Sequence, residues 1–232
     1  MRLVKEKQKY LLIGLIIGCF FSILQYMVYM LTSYLPIDTP YAVWMESNPD
    51  NLIWRVFLYF VPLLAGIAIE TVQFKGKKIV SVFCVGGIMV VLPFVLNAYL
   101  YFMTLTQRTM QIETVKIQRV IYNNHNTLLD SLYYKNSFLH MMLYLFIAFI
   151  VGGVLAVYCS GWQQWCNKKW IGIVITYGTV IAMHILPWKS TDILNFIKQV
   201  SEEIYIYQMV GVLGCLFIAA LFLNLKNRKH NT

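Results

Sequence analysis

Long apolar segments alternate with short polar ones along the whole chain. Six segments carry almost no charge: Tyr10–Thr32, Leu52–Ile69, Ile79–Met103, Phe138–Ser160, Trp170–Trp188 and Ile204–Leu225. About 20 helical residues are needed to cross roughly 30 Å of hydrocarbon. In lipid, a helix satisfies its backbone hydrogen bonds within its own segment. The pattern therefore predicts an all-α membrane protein with six transmembrane helices.

The composition agrees with this pattern. Hydrophobic residues make up 59% of the 232 residues and charged residues 12%, whereas about 25% of a soluble domain is charged. Six spans leave little chain for a separate soluble domain. We therefore expect residues 1–232 to form a single membrane domain.

Basic residues predict the orientation, because short cytoplasmic loops carry an excess of lysine and arginine. The nineteen lysines and arginines divide unequally, with the larger group on the side of both termini. That group is Arg2, Lys5, Lys7, Lys9, Lys75, Lys77, Lys78, Lys168, Lys169, Lys226, Arg228 and Lys229. Both termini are thus predicted to be cytoplasmic. The formal charge of +9 is explained by this orientation and by attraction to anionic lipid head groups. It does not indicate a nucleic-acid-binding surface.

The outer loops are predicted to contain short surface helices. In Thr104–Ser137, the apolar residues Leu128, Leu129, Leu132 and Tyr133 are spaced for a helix on the membrane surface. The segment Trp188–Glu203 also has apolar residues at helical spacing. It is expected to dip into the outer leaflet.

The predicted spans contain little chemistry that could harvest an ion gradient. Ion-driven transporters usually place ionisable groups near the bilayer midplane. Here such groups lie near the ends of spans: Arg55, Glu70, His140 and His184. Gln25 and Asn97 lie deeper, and a hydrogen bond between helices is the simpler interpretation of each. Coupling to protons or sodium is therefore poorly supported.

No catalytic motif is present in the sequence. The chain lacks H-E-x-x-H, G-x-S-x-G and a phosphate-binding G-x-x-x-x-G-K-[ST] loop. Glu202 and Glu203 precede a predicted helix, where the helix dipole favours acidic groups. The five cysteines include no C-x-x-C pair. We expect no catalytic residue, no metal site and no cofactor held by this chain itself.

Glycines and prolines interrupt several spans. Pro62 and Pro93 lie inside predicted helices, and Pro187 closes one. Paired glycines are expected to form small faces for close helix packing, within the chain or between chains. These pairs are Gly14 with Gly18, Gly86 with Gly87, Gly152 with Gly153, and Gly211 with Gly214.

Three stretches carry a family resemblance. They are Ser131–Leu139 (Ser-Leu-Tyr-Tyr-Lys-Asn-Ser-Phe-Leu), Phe149–Ala156 with its glycine pair, and Phe60–Gly66 with its proline. With the six-span plan, they resemble the small permease subunits of bacterial ATP-binding-cassette (ABC) transporters of the type-2 exporter family. The resemblance is strongest to Gram-positive permeases for export of, or immunity to, peptide antibiotics and bacteriocins. The chain departs from that pattern at Ser137, where a proline is expected, and in its short basic stretch Lys75–Lys78.

The resemblance implies a partner that supplies energy. Two cytoplasmic ABC ATPase subunits would bind ATP and Mg²⁺ beneath a pair of permeases, formed by two copies of this chain or by a sister chain, in the plasma membrane of a bacterium. The ATPase would contact the N-terminal segment Lys5–Tyr10 and the short inner loop Thr71–Lys78. Together with Glu70, this loop is the most charged inner loop between spans. Its coupling residues would be Glu70, Lys75, Lys77 and Lys78. The lysines also have a simpler interpretation as topology anchors.

The resemblance further implies a substrate pathway along the first, second and fifth spans. Candidate lining residues are Gln25, Tyr26, Tyr29 and Tyr177. Ordinary helix packing is the competing interpretation of these aromatic side chains.

Two other classes of function stay open at this point. The chain could be a non-transporting membrane sensor or assembly partner that binds an extracellular peptide through Ser33–Asn51 and Thr104–Ser137. It could also be an intramembrane enzyme, which would require Glu202 or His184 to be indispensable.

Overall fold

The fold is described by a computed structural model that covers residues 2–32, 40–41, 44, 78–105, 136–166, 169–185 and 206–226. Five α-helices account for nearly all of these residues. They are α1 (Arg2–Thr32), α2 (Lys78–Leu105), α3 (Ser137–Cys166), α4 (Lys169–Ile185) and α5 (Ile206–Lys226). The described ranges contain no β-strand, so the all-α prediction is confirmed for them.

Four of these helices are long and apolar enough to cross a membrane. Their apolar stretches are Leu12–Leu31, Ile79–Leu105, Phe138–Cys166 and Tyr207–Asn224. The apolar stretch of α4, Trp170–Met183, is shorter. With 17 residues and a rise of about 1.5 Å per residue, α4 reaches the lower limit for a span. The prediction of a multi-pass membrane protein is supported, and four candidate spans are present in these helices.

Several predicted features lie outside the described residues. These are the second span Leu52–Ile69, most of the predicted surface-helix segment Thr104–Ser137, and the outer segment Trp188–Glu203. Among the described helices, α1 differs most from its predicted span, because it begins at Arg2 and not at Tyr10. The helix α3 is also longer than predicted. It continues past Ser160 to Cys166, because polar residues such as Gln163 and Gln164 extend a helix beyond its apolar part without breaking it.

The helix α3 lies at the centre of the described bundle. It packs against α2, α4 and α5, whereas α1 packs against α2. The apolar stretch of α3 is 72% buried and that of α1 is 22% buried. The outward side chains of α1, such as Ile16 and Phe20, are exposed.

The contacts between helices also fix their relative directions. Gly87 lies against Phe149 and Gly153 against Phe83, so α2 and α3 are antiparallel. Gly172 lies against Gln163, close to the short connection between α3 and α4. These two helices form an antiparallel hairpin.

Two further helix pairs run parallel. Ser22 meets Pro93 and Tyr29 meets Tyr101, so positions advance together along α1 and α2. On α3 and α5, Gly161 lies against Leu223. Nearer to the start of both helices, Gly153 and Phe217 pack on the same Phe83 ring.

The glycine pairs of α2 and α3 form the closest helix contact. A Cβ atom on Gly86 would collide with the Cβ of Ala156 and lie 2.7 Å from the carbonyl oxygen of Gly152. The predicted small faces are therefore confirmed on these two helices. At Gly211 and Gly214, a Cβ atom would meet nothing within 4 Å, so that face of α5 is open in the described part of the chain.

Candidate functional site

A cluster of polar side chains lies between α1 and α2, near the middle of both candidate spans. Ser22, Gln25 and Asn97 are all 0% exposed. The Ser22 hydroxyl donates to the Pro93 carbonyl oxygen at 2.5 Å. In return, the Asn97 side-chain amide donates to the Ser22 carbonyl oxygen and to Gln25 Oε1, each at 3.2 Å. Each helix thus donates a side-chain hydrogen bond to the backbone of the other.

Pro93 places this contact at a weakened turn of α2. A proline has no N–H group, so one backbone hydrogen bond of the helix is lost there. Such positions are tolerated in membrane helices when neighbouring side chains supply hydrogen bonds. The carbonyl oxygen that loses its donor belongs to Met89, four residues earlier. Ser22 donates to the carbonyl oxygen of Pro93 itself, so it bonds next to the weakened turn and does not replace the lost bond.

The cluster is not fully satisfied. Asn97 Oδ1 is buried and accepts no hydrogen bond from the described part of the chain. A buried acceptor without a donor costs about 1–3 kcal/mol, whereas a hydrogen bond between membrane helices contributes about 0.6 kcal/mol on average. Three such bonds are therefore largely offset by one unsatisfied oxygen, and the polar contact is weak overall.

Aromatic rings continue the interface beyond the polar cluster. Tyr26 and Tyr29 pack edge-on against Tyr101, with ring centroids 5.2 Å and 5.8 Å from it. Further along, Tyr41 packs against Phe102 at 4.5 Å. Burial raises the pKa of Tyr41 above its ordinary value. Edge-to-face ring pairs add about 0.5–1.5 kcal/mol each beyond their buried area.

Three of the four predicted pathway residues meet at this interface. Gln25, Tyr26 and Tyr29 all lie on the face of α1 that packs against α2. Tyr177 lies on α4, which packs against α3. The predicted hydrogen-bonding role of Gln25 and Asn97 between helices is confirmed. Whether any of the four contacts a substrate stays a prediction.

Ser22 and Tyr101 belong to the interface but were not predicted. Ser22 lies three residues before Gln25 and Tyr101 four residues after Asn97. Residues at these spacings share a helix face. This periodicity around the two amides is the signal that could have identified both residues.

The predicted coupling residues are mostly beyond what the structure describes. Glu70, Lys75 and Lys77 lie outside the described residues, and Lys78 begins α2. Of the residues that an enzyme would require, Glu202 also lies outside, and His184 lies in the last turn of α4. These roles remain predictions.

His140 is buried near the start of α3. Asn136 caps this helix, because its side-chain oxygen accepts a hydrogen bond from the Leu139 backbone N–H at 3.0 Å. The His140 ring packs against Tyr144, with centroids 4.8 Å apart. The side chain is thus enclosed by protein.

A second polar cluster joins α3 to α5, and it differs from the first in being satisfied. The Asn224 amide donates to the carbonyl oxygens of Ala220 at 2.7 Å and Val157 at 3.4 Å. Its oxygen accepts a hydrogen bond from Gln164 at 3.1 Å. Gln164 also donates to Ser160 at 3.1 Å. This cluster has the bonding expected of a structural contact.

Metal and disulfide chemistry find no support in the described ranges. No group of three His, Cys, Asp or Glu side chains there could hold a metal ion. All five cysteines lie in described helices and are free thiols.

No protein-family model, no curated protein and no solved structure matches this chain. Nothing in these comparisons identifies a transporter family.

Proposed function

We propose that this chain is the transmembrane permease subunit of an ATP-binding-cassette exporter. Its cargo, or the agent to which it confers immunity, would be a peptide or another amphipathic molecule. The observation that carries the proposal is the charge-free interior. Among the described residues, the buried polar side chains include no Asp, Glu, Lys or Arg. The one buried histidine among them, His140, lies near the start of α3 and by itself forms no chain of ionisable groups. A separate protein would therefore supply the energy.

The helix directions support the six-span topology on which this proposal depends. Because α1 and α2 run parallel, a chain that spans the membrane in both must cross back between Thr32 and Lys78. The predicted second span, Leu52–Ile69, would supply that crossing. The directions of α3, α4 and α5 then alternate, which would put both termini on the same side. The basic residues assign that side to the cytoplasm.

The partner ATPase would bind ATP and Mg²⁺, since this chain lacks the motif to do so. It would contact the inner loop that contains Glu70, Lys75, Lys77 and Lys78. To pass the movement of the ATPase to the helices, a rigid element must project from the membrane. The permease would act in the plasma membrane of a bacterium, paired with a second copy or a sister chain.

The first test is affinity purification of the tagged chain from native membranes, followed by mass spectrometry. The proposal expects a nucleotide-binding ATPase subunit to co-purify. Recovery of the chain as a homo-oligomer, with no ATPase, would contradict the proposal and favour the membrane sensor.

A second test reverses the inner-loop charges in the triple variant Lys75→Glu, Lys77→Glu and Lys78→Glu. We expect it to insert and fold but to lose stimulation of the partner's ATPase activity. The matched control reverses three charges of the C-terminal tail, at Lys226, Arg228 and Lys229, and should keep stimulation. Full stimulation by the inner-loop variant would exclude that loop as the contact.

A further inference from the structure

We propose that α1 is a movable cover over a polar patch of α2. In this view Ser22, Gln25 and Asn97 are closed off in the present structure and become accessible when α1 separates from α2. The inference goes beyond the proposed function. It requires movement of one helix and does not require a particular energy source.

The packing of α1 is the first support. Among the described helices, α2 is the one against which α1 packs substantially. The apolar stretch of α1 is the least buried of the four candidate spans. Its outward side chains, including Ile16, Phe20 and Leu31, are exposed and can contact lipid in either position. Among the described helices, separation of α1 therefore breaks one interface and leaves the contacts of α3 with α2, α4 and α5 in place.

The chemistry of that one interface is the second support. Apolar packing alone would hold two helices together in lipid, yet the middle of this interface is polar. Its hydrogen bonds can be exchanged for bonds to water or cargo when the helices separate. Where water fills the space between the separated helices, this exchange of partners makes separation easier than the exposure of an apolar interface.

The unsatisfied oxygen of Asn97 is the third support. Asn97 Oδ1 is buried and has no donor in the described residues, so the closed arrangement leaves this acceptor unfilled. In the open arrangement the oxygen can accept a hydrogen bond. The ligand chemistry that fits is a donor, such as the backbone N–H of a peptide or a hydroxyl group. The same oxygen thus disfavours the closed state and favours a donor in the open state.

The face of α2 that packs against α3 explains why α1 is the helix that moves. Gly86 and Gly152 bring α2 and α3 into backbone contact, and small displacements there produce either collisions or voids. The two helices are expected to move as one body. Pro93 lies on the α1 side of this body, where Ser22 donates to its carbonyl oxygen.

The test measures the accessibility of a thiol at the centre of the cover. All five native cysteines are replaced by alanine, and Ser22→Cys introduces a near-isosteric reporter. Gln25→Cys is a second reporter in case the first destabilises the chain. The probe is a water-soluble, membrane-impermeant maleimide, applied to the purified full chain in lipid nanodiscs. Modification is followed by mass shift on a denaturing gel.

Thr176→Cys provides the matched control. Thr176 is also buried near the middle of its helix, and its hydroxyl donates to the Gly172 carbonyl oxygen in the same helix. Ala148→Cys, in the interior of α3, is a second control. Addition of the reagent after unfolding in detergent shows that each thiol can react.

We expect Ser22→Cys to be modified about tenfold faster than Thr176→Cys. An open state within the usual range of minor populations, about 0.1–10%, would expose the thiol at position 22 and not the thiol at position 176. Equal rates for the reporters and the controls would overturn the inference. Failure of the permease proposal would give a different result: no ATPase would co-purify, whereas the reporters would still react faster than the controls.

Discussion

The helix α2 contacts α3 through glycines and α1 through polar and aromatic side chains. At the α3 contact, Gly86 and Gly152 leave no room for a side chain, and the helices meet along their backbones. At the α1 contact, Ser22 and Asn97 exchange hydrogen bonds with the opposite backbone, and Asn97 keeps one oxygen unsatisfied. The first contact depends on shape and the second on bonds that other partners could replace.

This difference has a physical origin. In lipid the hydrophobic effect gives no preference for one helix face over another, so association depends on close packing and on hydrogen bonds. Close packing falls off steeply with distance. A hydrogen bond can instead pass to water or to a ligand with little loss. One helix can therefore belong to a rigid pair on one side and to a reversible pair on the other.

The largest expected effect tests the tight contact. Gly86→Ala should destabilise the chain by about 1–3 kcal/mol, the usual cost of overpacking, because the new Cβ would meet Ala156 and the Gly152 backbone. Thermal unfolding of the purified chain in detergent measures the change. Gly211→Ala is the control, since its Cβ would meet nothing within 4 Å. It should be neutral or stabilising by about 0.5–1 kcal/mol. Equal destabilisation by both variants would contradict the backbone contact.

A pair of substitutions compares the two buried asparagines. Asn224→Leu removes the hydrogen bonds to Val157 and Gln164 and leaves Gln164 with an unfilled donor. We expect a loss of about 1–2 kcal/mol, the usual cost of a buried group left without its partner. Asn97→Leu removes two hydrogen bonds, including the one that Gln25 Oε1 accepts, but it also removes the unsatisfied oxygen, so its net effect should be smaller.

The same unfolding measurement compares the two leucine variants directly. If Asn97→Leu proved at least as destabilising as Asn224→Leu, the polar cluster of α1 and α2 would not be the weaker of the two.

The aromatic part of the α1 contact should contribute less. Tyr26→Leu removes the edge-on ring pair with Tyr101, and a loss of about 0.5–1.5 kcal/mol is expected for such a pair. Tyr99→Leu is a matched control on α2, where the side chain is exposed, and it should leave the unfolding temperature unchanged. A similar drop for both variants would show that the effect is not specific to the interface.

The smallest expected effect concerns one hydrogen bond. Ser22→Ala removes the donor to the Pro93 carbonyl oxygen and should cost about 0.6 kcal/mol, the average for membrane helices. Thr104→Ala, where the hydroxyl bonds within its own helix, is the control and should change stability less. A loss above about 2 kcal/mol would exceed the range known for such bonds and would mean that α1 is fixed and not a cover.

Much of the helix content followed from the sequence, and so did one of the interfaces. Apolar length predicted α1, α2, α3 and α5 as spans, because lipid imposes the same hydrogen-bonding requirement on every crossing segment. The glycine pairs of α2 and α3 predicted close packing, since glycine is the residue that allows backbones to meet. The end of α3 was placed too early, because hydropathy marks the edge of the apolar core and not the end of the helix.

The partners of the polar residues could not be predicted in the same way. Gln25 and Asn97 were recognised as polar positions deep in their spans, but nothing in either segment states that they face each other. Gly211 with Gly214 was predicted to form a small face, as was Gly86 with Gly87, yet the first face is open and the second is closed. The neighbouring helix decides which of these faces is used.

The sequence by itself determined that the chain is helical, that it is built to lie in a membrane and that its spans are almost free of charge, because each of these properties is fixed within a segment. The tertiary structure decided that α3 is central, that α1 packs in parallel against α2 and that Asn97 lacks a donor. These properties depend on which helix faces meet. Lipid is as apolar as the side chains, so it favours no face over another. Packing and hydrogen bonds between distant segments determine which faces are in contact.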